Sequence, residues 1–420
     1  MERYSEYKDS GVQWLGEIPG HWSRTPFRRI ASVKSNLVHP FEYADYPQIA
    51  PDSIEKGSGR LLHWKTVADS NVESDNHLFF KGQILYSKIR PLLNKVIIAP
   101  FDGLCSADMY PIETSQNTRF LQYYMLSNGF LEGVTNATRD RVKMPKINKE
   151  ELGSIDLCIP PLSEQHSIVT YLDAKCAKLD KMLENKEKQI ALLAEMKQRI
   201  IADAVTHGLN PDVKMKATNI PWLKEIPEHW RFMRNKSLLK LTDEKVGDRK
   251  DITLLSLTKQ GVIIRDLSEG KGKFPKDFDS YLVVRPNNLV FCLFDVDETP
   301  RTVGLVHNYG MLTGAYTNFE VNESLVMPEF MYNYYLQIDD VKGLRPYYTG
   351  LRKVVKTSTF LQLRMPLPPM EEQKQIVDYI ANHTAKIDTL SAKLNEEISS
   401  IKEYKQRLIS DVVTGQIKVC

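Results

Sequence analysis

Apolar residues recur every seven positions in two long stretches of the chain, residues 162–206 and 370–414. A seven-residue apolar repeat that persists for more than four heptads is typical of helices wound around each other. About 43 residues at 1.5 Å each would form a rod of roughly 65 Å. Two unrelated core helices are the alternative, but they would not explain why both repeats share one phase.

The seam positions follow directly from this phase. Lys186 falls on the seam of the first helix, and a polar seam residue is tolerated where it sets the register. Ile376, Leu390, Ile398 and Tyr404 are predicted close to a companion seam of the second helix. The predicted interface residues are Leu172, Leu179, Leu193 and Ile200 in the first helix, and Ile380, Ile387, Leu394, Ile401 and Leu408 in the second.

An offset of 208 residues relates three pairs of sequence blocks, so the chain contains one module twice. Seven of nine residues are identical in the first pair, WLGEIPGHW and WLKEIPEHW. The paired blocks are Trp14–Trp22 with Trp222–Trp230, Pro160–Tyr171 with Pro368–Tyr379, and Lys197–Thr206 with Lys405–Thr414.

Between these blocks, short apolar runs bounded by glycine or proline predict buried strands. They lie at residues 84–86, 96–99, 252–257 and 289–293, and short helices are predicted at residues 118–128 and 328–338. The predicted fold class is therefore α/β, with two globular domains separated by two long antiparallel coiled-coil helices in a pseudo-twofold tandem repeat. The predicted boundaries are residues 1–161 for the first domain, 162–206 for the first helix, 207–369 for the linker and second domain, and 370–420 for the second helix and tail.

Two copies related by a local twofold axis would run their helices antiparallel and send the two domains to opposite ends. Domains of this size have a radius of gyration near 15 Å, so they could lie ~35 Å or more apart, about one turn of DNA. The segment His207–Pro221 links the modules, and residues 1–13 together with the C-terminal tail replace it elsewhere. The sequence therefore predicts that the two termini lie close together.

Composition describes an ordinary protein of two or three domains, with 42% hydrophobic and 26% charged residues among 420. No apolar run approaches the ~20 residues that span a bilayer, and the polar N-terminus lacks a signal-peptide core. Five cysteines, an odd number without CxxC spacing, favour a reducing cytoplasm. The net charge is only +3, so any site for a polyanion must be local.

The sequence predicts no catalytic, cofactor or metal site. The double prolines lack the flanking amide and aromatic residues that amino-methyltransferases use to hold a flipped base, and no glycine-rich phosphate loop follows a strand. His21 and His229, each beside a tryptophan, are more often packed residues than catalytic ones. The acidic cluster Asp295, Asp297 and Glu298 lacks metal-ligand spacing.

Recognition is the remaining chemistry, because basic residues cluster before each long helix and in two upstream loops. Arginine and lysine in loops bind phosphates or hydrogen-bond to guanine edges, and tyrosines among them could pack on sugars or bases. Ordinary solvated charge is the alternative for about half of these positions. The candidate DNA contacts are Lys88, Arg90, Arg139, Arg141, Lys143, Arg301, Tyr316, Arg345, Arg352 and Lys353, with Lys146, Lys271, Lys273, Tyr347, Tyr348 and Lys356 nearby.

The repeated blocks resemble the specificity subunit of type I restriction-modification systems, and the resemblance covers essentially the whole chain. The matching segments are Trp14–Trp22, Leu157–Gln165 and residues 197–201, with their copies. The resemblance implies two target-recognition domains that read a bipartite, asymmetric double-stranded DNA site with a nonspecific gap. It also implies that two methylation subunits dock on the helices, that restriction subunits join for cleavage, and that the partner transfers the methyl group.

Two other functions remain open at this point. A tandem coiled-coil adaptor would bind only proteins and show no DNA sequence preference. A self-contained methyltransferase or nuclease would turn over DNA without partners.

Overall fold

The computed structural model describes residues 2–139, 145–249, 252–265 and 278–419, and the chain divides into two units. Unit 1 comprises Met1–Glu187 and Asn395–Cys420, and unit 2 comprises Lys188–Leu394. Each unit therefore contains one globular domain and one section of each long helix.

Unit 1 is built on two antiparallel-rich sheets with short helices. The four-stranded sheet has the order β10-β9-β12-β4 and the five-stranded sheet has the order β5-β8-β11-β6-β7, where only β11 and β6 run parallel. The strands are β1 Tyr7–Asp9, β2 Glu17–Pro19, β3 Ser23–Pro26, β4 Ala31–Val33, β5 Leu37–Val38, β6 Pro47–Ile49, β7 Lys65–Thr66, β8 Asn76–Phe79, β9 Ile84–Ser87, β10 Val96–Ile98, β11 Gly103–Cys105, β12 Met109–Thr114 and β13 Asp156–Ile159. The helices are α1 Phe27–Ile30, α2 Thr118–Leu126, α3 Asn128–Ala137, α4 Lys149–Ser154 and α5 Leu162–His207.

Unit 2 repeats the four-stranded sheet in the order β17-β24-β21-β22. Its strands are β14 Met215–Ile220, β15 Leu223–Pro227, β16 Arg231–Arg234, β17 Leu239–Thr242, β18 Leu255–Thr258, β19 Gly261–Ile264, β20 Leu282–Val284, β21 Leu289–Phe291, β22 Val303–Leu305, β23 Gly310–Leu312, β24 Thr317–Val321 and β25 Arg364–Leu367. Its helices are α6 Asn235–Leu238, α7 Pro328–Asp340, α8 Thr357–Gln362 and α9 Met370–Val413.

Local chemistry explains where the short helices begin. The Asn117 side chain caps α2 by accepting the backbone N–H groups of Arg119 and Phe120, and Pro328 occupies the first turn of α7, where its missing N–H costs nothing.

Three of the four predicted strands are present as β9, β10 and β21. The fourth was predicted over residues 252–257, but β18 begins only at Leu255.

The two units share strand register as well as sequence. Ser23 faces Ile159 across β3 and β13, and Arg231 faces Leu367 across β16 and β25, which is the same pair 208 residues later. Each double proline follows the second of these strands, where a residue without a backbone N–H cannot continue a ladder. The repeated module therefore has one backbone frame.

Within each unit the two long helices run antiparallel. In unit 1, Asp180 pairs with Lys405 (2.6 Å) and Lys186 pairs with Glu397, so the α9 number falls as the α5 number rises. In unit 2, Lys197 pairs with Asp388 at 2.7 Å. The predicted α/β class with long antiparallel helices is confirmed.

Both helices contribute to the core of each unit. Leu172 and Leu408 belong to the unit 1 core around Trp22, and Val205 and Ile380 belong to the unit 2 core around Trp230. The predicted seam residues are all at least partly buried. Leu172, Ile380, Ile387, Leu394 and Leu408 are buried, and Leu179, Leu193, Ile200 and Ile401 are half-buried.

The companion-seam prediction was wrong for two residues. Ile376 and Ile398 are buried, but Leu390 and Tyr404 are each 47% exposed. The second seam passes instead through the residues that follow them, Ser391 and Lys405, and both of these are half-buried. Because 3.6 residues make a turn, a shift of one residue rotates a side chain by about 100°, and this carries Leu390 and Tyr404 out of the seam.

The two termini pair with each other in unit 1, as predicted. Glu2 and Lys418 form a β-bridge, with the Lys418 N–H donating to the Glu2 carbonyl at 2.9 Å. The Tyr7 hydroxyl donates to the Gly415 carbonyl at 2.9 Å. The hairpin β1–β2 next to them has the same register as β14–β15 in unit 2, where Lys216 takes the place of Lys8.

Among the described residues, no helix is both long and apolar enough to cross a membrane. Cys105, Cys158, Cys176 and Cys292 are buried free thiols.

Candidate nucleic-acid and protein interfaces

Each long helix is fixed at its first turn by a glutamate whose hydrogen bonds to the preceding Trp/His-Trp segment no local pattern predicts. Glu164 accepts hydrogen bonds from Trp22 Nε1 (3.1 Å), His21 Nε2 (2.7 Å) and the Tyr4 hydroxyl (2.6 Å). Burial alone would raise the pKa of Glu164, but these donors outweigh burial and hold the pKa below its ordinary value. His21 therefore has a structural role here.

Unit 2 repeats this arrangement 208 residues later. Glu372 accepts from Trp230 Nε1 (3.0 Å) and His229 Nε2 (2.8 Å). The next residue of each helix, Gln165 or Gln373, is buried and donates to the carbonyl of the first proline of the pair at 3.0 Å. The identical Glu-Gln dipeptide in both copies was the sequence signal for these anchors.

Two sequence segments that carry candidate DNA contacts meet at one edge of each unit. The strands β9 and β21 are equivalent, since the order β10-β9-β12-β4 in unit 1 corresponds to β22-β21-β24-β17 in unit 2. Beyond them, Arg90 and Asp295 both adopt left-handed backbone, with φ of 45° and 47°. The Arg90 N–H donates to the Pro145 carbonyl (2.9 Å), and the Asp295 N–H donates to the Arg352 carbonyl (2.8 Å).

The unit 1 edge, defined as Lys88, Arg90, Asp108 and Lys146, is predominantly basic. Lys88 Nζ lies 5.3 Å from the centre of the Tyr110 ring, and Lys146 Nζ lies 3.0 Å from Asp108 Oδ1. Arg90 is exposed and has left-handed backbone directly before Pro91. This edge presents more cations than anions.

The unit 2 edge pairs each of its cations with a carboxylate. Its members are Asp295, Asp297, Glu298, Arg345, Arg352 and Lys353. Arg345 Nε lies 2.8 Å from Asp297 Oδ1, Lys353 Nζ lies 2.9 Å from Glu298 Oε1, and Arg352 Nη2 lies 3.6 Å from Asp295 Oδ2. The hydrogen bond from Arg345 is the main reason that the pKa of Asp297 lies below its ordinary value.

Aromatic rings support Arg352 from below. Its guanidinium carbon lies 5.3 Å from the centre of the Phe294 ring, a favourable cation–π geometry. Phe294 in turn stacks on Tyr316, with ring centres 6.4 Å apart. Tyr316 is half-buried and therefore packs under Phe294, not at the exposed surface of the edge.

The remaining candidate contacts are separate from these clusters or outside the described residues. Arg301 is only 19% exposed and pairs with Asp339 (3.4 Å) and Asp340 (3.3 Å), so it ties β22 to the end of α7. Arg139 is exposed in the turn after α3. Arg141, Lys143, Lys271 and Lys273 lie outside the described residues. Contacts of all these residues with DNA stay predictions.

No group of three or more histidine, cysteine or acidic residues in the described part of the chain is placed to hold a metal ion. The carboxylates of the unit 2 edge are occupied by arginine and lysine instead.

Within each unit the helix pair has two unlike faces. One carries an ion pair, that of Asp180 in unit 1 and that of Asp388 in unit 2. On the other, at the position three residues after a seam residue, each unit exposes one apolar residue from each helix, and the sequence spacing within each helix is two heptads. They are Met182 and Tyr404 in unit 1, and Met196 and Leu390 in unit 2, all about half-exposed. In unit 2, Met196 also lines a groove of about 380 Å³ with Leu209 and Tyr379.

Comparison with known proteins identifies a family. A family model described as the type I restriction modification DNA specificity domain matches residues 34–192 and 308–400, more than half of the chain. The type I restriction enzyme EcoDI specificity subunit of Escherichia coli is 40% identical over 206 residues, which is 47% of this chain and 46% of that protein. That match spans about half the length of the relative.

A second relative extends over nearly the whole chain. The putative type I restriction enzyme MjaX specificity subunit of Methanocaldococcus jannaschii is 23% identical over 96% of both proteins. A structure solved in work on the assembly and conformational transition of the type I R-M system matches with a TM-score of 0.70, over 95% of this chain and 99% of that one. Its 14% sequence identity shows the fold alone.

Proposed function

Because the chain belongs to the type I restriction-modification DNA specificity family, we propose that it reads DNA sequence for a complex whose partners carry the chemistry. The two edges each read one half of a bipartite, asymmetric site. One observation carries this proposal: at both edges a residue with left-handed backbone donates its N–H to the loop before the last strand of the domain, while the side chains presented there differ, Arg90 in one and Asp295 in the other.

Base contacts and phosphate contacts have different consequences at these edges. A guanidinium that grips a guanine edge with two hydrogen bonds discriminates by ~1–3 kcal/mol, whereas lysines on phosphates position the protein without sequence information. Arg90 and Arg352 are the candidates for base contacts. Lys88 and Lys146 are the candidates for phosphate contacts.

The apolar helix face is the proposed docking surface for two methylation subunits, with restriction subunits joining the complex for cleavage. Exposed apolar residues beside a coiled-coil seam offer apolar area that a partner can cover. The face recurs once in each unit with the same heptad position, which supports two equivalent partners. Adenine N6 methylation then belongs to the partner, and this chain supplies no cofactor site.

Duplex binding and a methylome together test the function. A host that produces the complete complex should carry methyl groups at one split motif, and the purified complex should prefer that motif. The logarithm of its affinity should fall with the logarithm of salt concentration by about 0.9 per phosphate contact. An adaptor that binds only proteins shows neither the motif nor the salt dependence. Methyl transfer or cleavage by this chain without partners would contradict the proposed division of labour.

The helices also act as a spacer in this proposal. Seven residues inserted into both helices, after Glu187 and after Leu394, keep the heptad phase and add ~10 Å. At ~3.4 Å per base pair, the gap in the methylated motif should grow by about three base pairs while both half-sites stay unchanged. An insertion of three residues, which breaks the phase, serves as the control. Altered half-sites in the seven-residue variant would exclude a spacer role.

A further inference from the structure

The unit 2 edge is electrically balanced at its exposed surface. Its three cations face three carboxylates at 2.8 to 3.6 Å. The side chains of Arg352 and Glu298 are each 74% exposed, whereas Asp297 is only 12% exposed. A phosphate that approaches Lys353 or Arg352 therefore meets a carboxylate at the same place.

We infer that Asp295 and Glu298 act as internal competitors for DNA phosphate, so that unit 2 discriminates against nonspecific duplex. This inference rests on the proposed function and concerns how the second half-site is selected. The two carboxylates are specificity determinants that act through Arg352 and Lys353. Asp297, which is mostly buried against Arg345, holds the edge together.

The competition affects phosphates more than bases. A phosphate offers only acceptor oxygens and a negative charge, so the carboxylates repel it while the cations attract it. A base edge is neutral and offers both acceptors and amino donors, and carboxylates accept hydrogen bonds from such donors. Like-charge repulsion of the wrong ligand is a general route to specificity. The carboxylates therefore weaken contacts with phosphates more than they weaken contacts with a matching base edge.

Unit 1 provides the contrast that supports this inference. At the position of Asp295, unit 1 has Arg90, with the same backbone conformation. Its edge, as defined above, combines Lys88, Arg90 and Lys146 with the carboxylate of Asp108. Among the described residues of the two edges, the excess of positive charge that attracts phosphate therefore lies at the unit 1 edge, and we expect the unit 2 edge to depend on its match to the bases.

Charge-neutral substitutions test the competition in the full-length chain assembled with its methylation partner. The variants are Asp295→Asn and Glu298→Gln, and the matched control is Glu320→Gln, which removes the same charge from a strand residue of unit 2 that pairs with Lys240 at 3.3 Å. Affinity is measured for a duplex with the methylated motif and for a scrambled duplex, between about 50 and 200 mM salt. Asp295→Asn frees Arg352 from its carboxylate partner. The double variant Asp295→Asn with Arg352→Gln also removes the positive charge of Arg352.

Both single variants should bind the scrambled duplex roughly two- to fivefold more tightly, the scale of an exposed ion pair. Their salt dependence should steepen by up to about 0.9 per freed cation, and the ratio of specific to nonspecific affinity should fall. The control should leave this ratio unchanged, and the double variant should lose the gain.

Unchanged salt dependence in both single variants would overturn the inference, and so would an equal shift in the Glu320 control or a gain that survives without Arg352. These results are distinct from failure of the proposed function. In that case the wild-type complex itself would show no preference for any duplex.

Discussion

The two units differ least where they are buried and most where they meet solvent. The Trp-His-Glu anchors have matching distances in both units, 3.1 and 2.7 Å against 3.0 and 2.8 Å. The edges differ: the unit 1 edge is a basic surface, whereas the unit 2 edge is a balanced network of ion pairs. The comparison teaches that this module keeps its frame by buried tryptophans and their hydrogen bonds to the first turn of each long helix, which leaves the edge free to change.

Replacing an anchor tryptophan should cause the largest loss of unfolding free energy, and the loss should be equal in the two units. Trp22 and Trp230 are almost completely buried, so alanine at either position should cost ~3–5 kcal/mol of unfolding free energy through cavity formation. Denaturant unfolding of each variant measures this. Trp64→Ala, at a tryptophan that is about half-exposed, is the control and should cost roughly 1 kcal/mol or less. A large difference between Trp22→Ala and Trp230→Ala would show that the frames are not equivalent.

Truncating one arginine at each edge should separate the two half-sites. Arg90→Ala and Arg352→Ala should each weaken specific binding by ~1–3 kcal/mol if the guanidinium contacts a base. Each variant should relax the methylated motif in one half only, which a methylome reports. Arg407→Ala is the control, since that residue lies on α9 and pairs within the helix with Asp411 at 3.5 Å. If affinity and methylated motif are unaltered in both edge variants, these arginines are ordinary solvated charges and make no base contact.

The loss of unfolding free energy at acidic pH should differ between the two anchors, by less than the effects above. Tyr4 donates to Glu164 in unit 1, whereas residue 212, 208 positions later, is an aspartate. Because the pKa of Glu164 is lowered on folding, its contribution is complete above the pKa of an unfolded glutamate and is lost as the pH falls through the folded pKa.

Tyr4→Phe should therefore reduce the loss of stability on acidification, by less than about 1 kcal/mol. Unfolding free energies measured from pH 6 down to pH 3 check this, with Tyr7→Phe as the control, because its hydroxyl donates to a backbone carbonyl instead. A steeper pH dependence in Tyr4→Phe than in the wild type would contradict the assignment.

Much of the frame could be predicted because its signals are local or repeated. The heptad phase located the buried faces of α5 and α9, and the constant offset of 208 residues identified the matching blocks. Leu390 and Tyr404 were misplaced because a single apolar residue does not reveal on which side of the seam it lies. Their exposure depends on the partner helix.

The edges could be predicted only as groups of basic residues. Arg345 and Asp297 are 48 residues apart in the chain, and no local pattern relates them. The offset between the units is also 205 at Arg90 and Asp295, not 208, so the repeat does not align these two positions.

The sequence by itself determined the duplication, the long helices and their seams, because periodicity and repetition are properties of nearby residues. The tertiary structure decided which cations are exposed at the edges and which are neutralised, and which helix face stays uncovered. These properties depend on side chains that only folding brings within a few ångströms of each other, where charge and hydrogen-bond geometry take effect.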